Sequence, residues 1–129
     1  MLTKAIQITI LVNDIEEAKN FYVDKLGFSV VSDMVFSADW RYLTVAPQKD
    51  NATVFELLKA ETPEQKKQVG NQAGGQVLVM FESDNIIDDF NRMKAKGVIF
   101  NGEPAEVPEG KGVGFKDLYG NQFDIYQPD

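Results

Sequence analysis

Two carboxylates, Glu56 and Asp124, stand in the middle of matching apolar triplets, Phe55-Glu56-Leu57 and Phe123-Asp124-Ile125, 68 positions apart. Side chains alternate along a strand, so each acid points away from its apolar neighbours. Two such acids in a partly apolar cavity would repel each other, and one pKa would rise toward neutrality. That would make a general base for proton abstraction or epimerisation. The same oxygens, with Gln7, offer a weak site for Mn, Mg or another divalent ion. A third reading is structural, with both acids hydrogen-bonded to Gln7, Gln122, Thr9 or cavity water. The chain has no His and no Cys. It therefore lacks the nitrogen and sulfur ligands usual for zinc and non-haem iron, and disulfide and thiolate chemistry is excluded.

The elements that must position these groups are written twice. Residues 4–13 alternate, with Ile6, Ile8, Ile10 and Val12 on one side and Gln7, Thr9 and Leu11 on the other. Asp14 and Glu17 have capping-box spacing, and Ile15, Ala18, Phe21, Tyr22 and Leu26 form a helical apolar stripe that Gly27 ends. Strands are predicted at 29–37, 41–46 and 53–59. The second copy opens with a strand at 76–82, then Asp84, a helix with Ile86, Ile87, Phe90 and Met93 on one face, and Gly97. Asp14 to Asp84 is 70 positions, and so is Gly27 to Gly97. Residues 102–112 read as a long turn-rich loop and a candidate lid. Strands at 113–117 and 122–126 flank a tight turn shaped by Gly120 and Asn121. Between the copies, Thr62, Pro63 and Gln65 predict a short capped helix.

This order predicts an α+β protein: two βαβββ modules in tandem forming a curved mixed sheet, a cup, with helices on the convex side. The whole chain, 1–129, reads as a single domain, with module one at 1–59, a connector at 60–75 and module two at 76–129. Ile6, Ile8 and Ile10 are expected beneath the first helix, with Leu78 and Met80 as their equivalents in the second copy. The concave side is expected to carry Gln7, Thr9, Glu56, Phe81, Asp124 and Tyr126.

Formal net charge is −7. Such a surface repels phosphate backbones and argues against nucleic acid; it mildly favours a cationic ligand. No apolar run reaches the roughly 20 residues needed to span a bilayer, and no signal peptide is read at the N-terminus, so no membrane role and a cytoplasmic location are expected. Of the aromatics, Trp40 is the best candidate to face a ligand, beside Arg41, which would either pair an anionic group or stay solvated.

Two motifs carry a family resemblance. VNDIEEAKNFYVDKLGF (12–28) resembles the opening signature of the vicinal-oxygen-chelate superfamily, which includes glyoxalase I, bleomycin-resistance proteins and extradiol dioxygenases; FKDLYGNQFDIYQP (115–128) resembles its closing signature. RYLTVAP and GEPAEVPEG resemble segments of small bacterial glyoxalase-like members. The resemblance implies a homodimer and structural roles for Asp117, Gly120 and Asn121. It also maps the four metal-ligand positions onto Gln7, Glu56, Val77 and Asp124, with Leu78 one register away. Val77 and Leu78 donate nothing, so no metal or other cofactor is expected, and a dioxygenase less than a lyase or isomerase. The leading expectation is a metal-independent small-molecule binding protein, holding an apolar or cationic organic ligand in the groove through Gln7, Thr9, Trp40, Arg41, Glu56, Phe81, Asp124 and Tyr126. The alternatives are a glyoxalase-like lyase or isomerase using Glu56 and Asp124, and a dimeric interaction module with no small ligand.

Overall fold

The computed structural model describes all 129 residues. They form two compact units, Met1–Val69 and Gly70–Asp129, each an α+β module with its own open mixed sheet.

In the first unit the elements run β1 (Gln7–Val12), α1 (Ile15–Asn20), a π-helical turn (Phe21–Lys25), β2 (Ser29–Ser37), β3 (Trp40–Ala46), β4 (Val54–Lys59) and α2 (Pro63–Gln68). The strand order is β1-β4-β3-β2, with only β1 and β4 parallel. Asp14 caps α1, its side chain accepting from the Glu17 amide at 2.9 Å. The helix then widens. The Leu26 amide donates to the Phe21 carbonyl five residues back, and consecutive Phe21 and Tyr22 both bury. Ala18, Phe21, Tyr22 and Leu26 pack with Ile10, Val12, Leu43, Val45, Phe55 and Leu57 as this unit's core. Ile6 and Ile8, expected in that layer, are exposed. Ile6 precedes the edge strand β1 and Ile8 lies near its start. The α2 helix has the full capping box of Thr62 and Gln65.

The second unit runs β5 (Val77–Glu82), α3 (Ile86–Ala95), β6 (Ile99–Phe100), β7 (Ala105–Val107), β8 (Gly110–Lys116) and β9 (Gln122–Pro128). The order is β5-β9-β8-β6, with β7 also on β8. Segment 102–112, expected as a loop, thus contains β7 and a two-residue turn into β8. Rings of Phe90, Phe100, Phe115, Phe123 and Phe81 run in contact, at centroid spacings of 4.7, 5.8, 5.4 and 5.6 Å. Ile86, Phe90 and Met93 bury one face of α3, whereas Ile87 is 48% exposed and leaves the expected stripe. The closing turn is built as the motif implied. Asp117 Oδ1 accepts from the amides of Tyr119 and Asn121, both at 2.9 Å, and Oδ2 from Asn121 Nδ2 at 2.8 Å.

The 70-residue repeat hides two one-residue insertions that cancel. In unit one, Gln7 pairs with Val54 and Ile8 with Phe55. In unit two, Val77 pairs with Gln122, but Val79, not Leu78, pairs with Phe123. Leu78 is the extra residue of a β-bulge. The second helix cap is accordingly Asn85 rather than Asp84, its side chain accepting from the Asp88 amide. Asp14 to Gly27 is 13 positions and Asn85 to Gly97 only 12. The π-turn of the first helix takes up that difference. Gly27 and Gly97 end the two helices at φ 79° and 93°.

Candidate functional site

The face of the first sheet opposite α1 carries the polar residues. Register places Thr9 beside Glu56 and Glu56 beside Thr44, so the three form a row across β1, β4 and β3. Gln7 Nε2 donates to Glu56 Oε1 at 3.1 Å, and the Tyr42 hydroxyl donates to Gln7 Oε1. This Tyr42–Gln7–Glu56 chain ties β3 to β1 across β4. Glu56 is 9% exposed, and burial pushes its carboxyl pKa above the ordinary 4.5. Thr44 is 1% exposed, and its Oγ1 has no hydrogen-bond partner.

Arg41 is elsewhere. It alternates to the other face, where Nε and Nη2 bond the two carboxylate oxygens of Asp33, both at 3.0 Å. Nη1 also pairs with Glu16, and Lys19 reaches Asp33 at 3.2 Å. The hydrogen bond from Arg41 is the main reason the Asp33 carboxyl sits at about 2, and the pairing pushes the Arg41 pKa further up. Arg41 is thus ion-paired rather than merely solvated. Its charge is spent joining β3 to β2 and α1. Trp40, 55% exposed, stacks on Phe36 at 4.5 Å. It lines a small cavity of about 210 Å³ with Ile15, Arg41 and Leu58, away from the Glu56 row.

In the second unit a wider slot of about 470 Å³ is lined by Met80, Val107, Pro108, Gly112, Asp124 and Tyr126, among others. The walls are mostly apolar, and Asp124 supplies the carboxylate. The β8 floor is bare because Gly112 and Gly114 pair with Tyr126 and Asp124. A Cβ on Gly114 would lie 2.8 Å from Asn101 Nδ2 and 3.2 Å from Asp124 Oδ1, so these side chains would have to shift. A Cβ on Gly112 would reach the Val107 methyls at an ordinary 3.6 Å. The Tyr126 hydroxyl donates to the Glu109 carbonyl at 2.8 Å, which fixes the β7–β8 turn and leaves the ring to the slot. Glu109 itself has φ 61°, in the left-handed region.

Because of the Leu78 bulge, Met80 pairs with Asp124 and Phe81 with Ile125. The expected directions of Met80 and Phe81 are thus exchanged. Met80 is 60% exposed on the slot, and Phe81 packs on Phe123 at 5.6 Å. Leu78, expected beneath the helix, is the bulged residue. The structure thus brings Gln7, Thr9 and Glu56 together in one unit, and Asp124 and Tyr126 in the other. Sequence reasoning offered Tyr42 only as one of several strand aromatics that could line a ligand slot, and missed Thr44, Met80 and Gly112 as site residues. The alternate glycines 110, 112 and 114 were a readable sign of a strand face stripped of side chains, and Tyr42 and Thr44 share the alternation of Arg41–Ala46. Met80 had no such signal.

No three Asp, Glu, His or Cys side chains gather anywhere in the chain in a way that could hold a metal ion. In unit one Gln7 is already hydrogen-bonded to Glu56. In unit two the β5 residues at and near the mapped position, Val77, Leu78 and Met80, have no hard oxygen or nitrogen donor on the side chain. This donor set does not fit a metal centre.

Known proteins give the geometry its context. A relative from Shewanella frigidimarina (strain NCIMB 400), described only as an uncharacterized protein, is 38% identical over 128 residues, 98% of this chain and 95% of its own. The crystal structure of UcmS2 superposes with a TM-score of 0.84 at 30% identity, covering 98% of both chains. That of TnmS3, described as an antibiotic binding protein from Streptomyces sp. CB03234, gives 0.82 at 28% identity, covering 99% of this chain and 98% of its own. The family model described as Glyoxalase/Bleomycin resistance protein/Dioxygenase superfamily matches residues 4–125. With that match across nearly the whole chain, and with the βαβββ modules that carry both motifs, the protein belongs to the glyoxalase/bleomycin resistance protein/dioxygenase superfamily.

Proposed function

We propose that this chain is a metal-independent small-molecule binding protein for an apolar or cationic organic ligand. The observation that carries this reading is the slot of unit two: apolar walls, a glycine floor and one carboxylate, the composition expected of a ligand pocket. Met80 and the Tyr126 ring would flank a flat ligand, and Asp124 would meet its positive charge. The net charge of −7 would help draw a cation in. The likeness to TnmS3, described as an antibiotic binding protein, supports the same reading. Gln7, Thr9, Glu56 and Trp40 remain candidate ligand contacts within unit one. The exposed apolar residues Val35, Phe36 and Trp40 at the β2–β3 hairpin support a homodimer, which light scattering would test.

The test is a fluorescence titration with acridine orange, a flat cation, alongside neutral anthracene. Saturable binding of the dye is expected, weakened at least tenfold by Asp124→Asn and by the slot-filling Gly112→Val. No saturable binding of either probe would reject the reading.

A lyase or isomerase is the second reading, favoured by the raised pKa of the buried Glu56 carboxyl. A base at that position should exchange the α-proton of small hydroxy ketones for deuterium, as followed by NMR in D₂O. Exchange that survives Glu56→Gln would remove Glu56 from that role.

A further inference from the structure

The Glu56 face is more polar than an apolar binding wall requires, and one of its groups is left unsatisfied. Thr44 Oγ1 is buried without a partner, at a strand position where valine would fit without that cost. On the neighbouring strand lies Glu56, whose carboxylate has about four acceptor positions and takes a bond from Gln7. Side chains of directly paired residues stand roughly 5 Å apart at Cβ, so the two are neighbours on one face. Above the pair, Tyr42 and Gln7 close a bridge from β3 to β1.

We propose that Thr44 and Glu56 form a subsite for a hydroxyl group of a ligand held on this face of unit one, reached when the Tyr42–Gln7 bridge parts. A hydroxyl oxygen accepts from Thr44 and donates to Glu56, which satisfies both at once. An ether oxygen can only accept, and a methyl group does neither. The subsite rests on the small-molecule reading above and adds which chemical group is recognised.

The test compares 2-naphthol with its methyl ether, 2-methoxynaphthalene, by fluorescence titration of the full chain. Wild type should prefer the naphthol about tenfold, the worth of one well-made hydrogen bond to a carboxylate. Thr44→Val should bring the ratio near one, Thr44→Ser should preserve it, and Tyr42→Phe should tighten naphthol binding several-fold by freeing the bridge. Equal affinities in wild type, as when an ordered water fills the gap, would overturn the subsite. A preference that survives Thr44→Val, or binding of neither probe, would overturn it too. Naphthol affinity unchanged in Tyr42→Phe would refute the bridge as the barrier. Acridine orange reports on the Asp124 slot separately. Dye binding without naphthol preference rejects the subsite alone, and naphthol preference without dye binding rejects the slot.

Discussion

Replacing Thr44 by valine should make the ligand-free protein more stable. The side chain is 1% exposed and its hydroxyl has no partner, so the folded state bears a desolvation cost of roughly 1–3 kcal/mol with nothing in return. Valine keeps the branched shape that suits a strand, so the conformational cost is nearly unchanged. The added methyl contributes at most about 0.8 kcal/mol of apolar burial. A central expectation is a gain of about 1.5 kcal/mol. For a domain of this size that is a rise of about 6 °C in Tm. In urea the midpoint should move up by about 0.8 M at an unchanged slope near 2 kcal/mol/M. Thr44→Ser keeps the hydroxyl and loses a methyl, so it should fall below wild type by about 1 kcal/mol. A Thr44→Val variant no more stable than wild type would show that the hydroxyl is satisfied in solution, and the reasoning would fail at its first step.

Gly70 has φ 76°, and an added Cβ would lie 1.8 Å from the Tyr119 carbonyl oxygen. Gly70→Ala should therefore cost on the order of 3 kcal/mol or more, seen as a large drop in the urea midpoint. Glu109→Gly should stabilise by about 0.5–1 kcal/mol, because glycine relieves the left-handed backbone at a small entropic cost. Differential scanning calorimetry would read that as a Tm rise of a few degrees. The Glu56 carboxyl is raised above 4.5 in the folded state, so its contribution to stability is full below that pH and is lost as pH climbs through the folded value. Glu56→Gln should flatten this part of the stability–pH curve and leave the variant the more stable at pH 7, and equal slopes in urea titrations across pH 4–8 would contradict that.

Legibility of the fold followed how locally each signal was written. The first helix was readable because Asp14, the apolar stripe and Gly27 act within one short segment. Gln7 and Glu56 were readable because polar residues break the apolar period of β1 and β4 and so declare a face. Val77-Leu78-Val79-Met80-Phe81 has no polar residue to mark the period. The bulge at Leu78 left no trace there, and Met80 and Phe81 were assigned to each other's sides. The ion pairs of Arg41 were hidden for a different reason. Its partners Asp33 and Glu16 lie 8 and 25 positions away, and only the folded sheet brings them within reach. The family motifs made the architecture clear while leaving the binding faces open, since those depend on strand register.

The two cancelling insertions mean that the halves keep time with each other without staying in phase. A bulge in one half and a wide helical turn in the other restore the count by Gly97, so both glycines close their helices 70 positions apart. Between these shared beats the second sheet presents Met80 beside Asp124 where the first presents Thr9 beside Glu56. A single inserted residue thus recoded one wall from hydroxyl to thioether while the scaffold around it kept its metre. A repeat built this way can vary its two surfaces independently, and an alignment of its halves by spacing alone would miss the change.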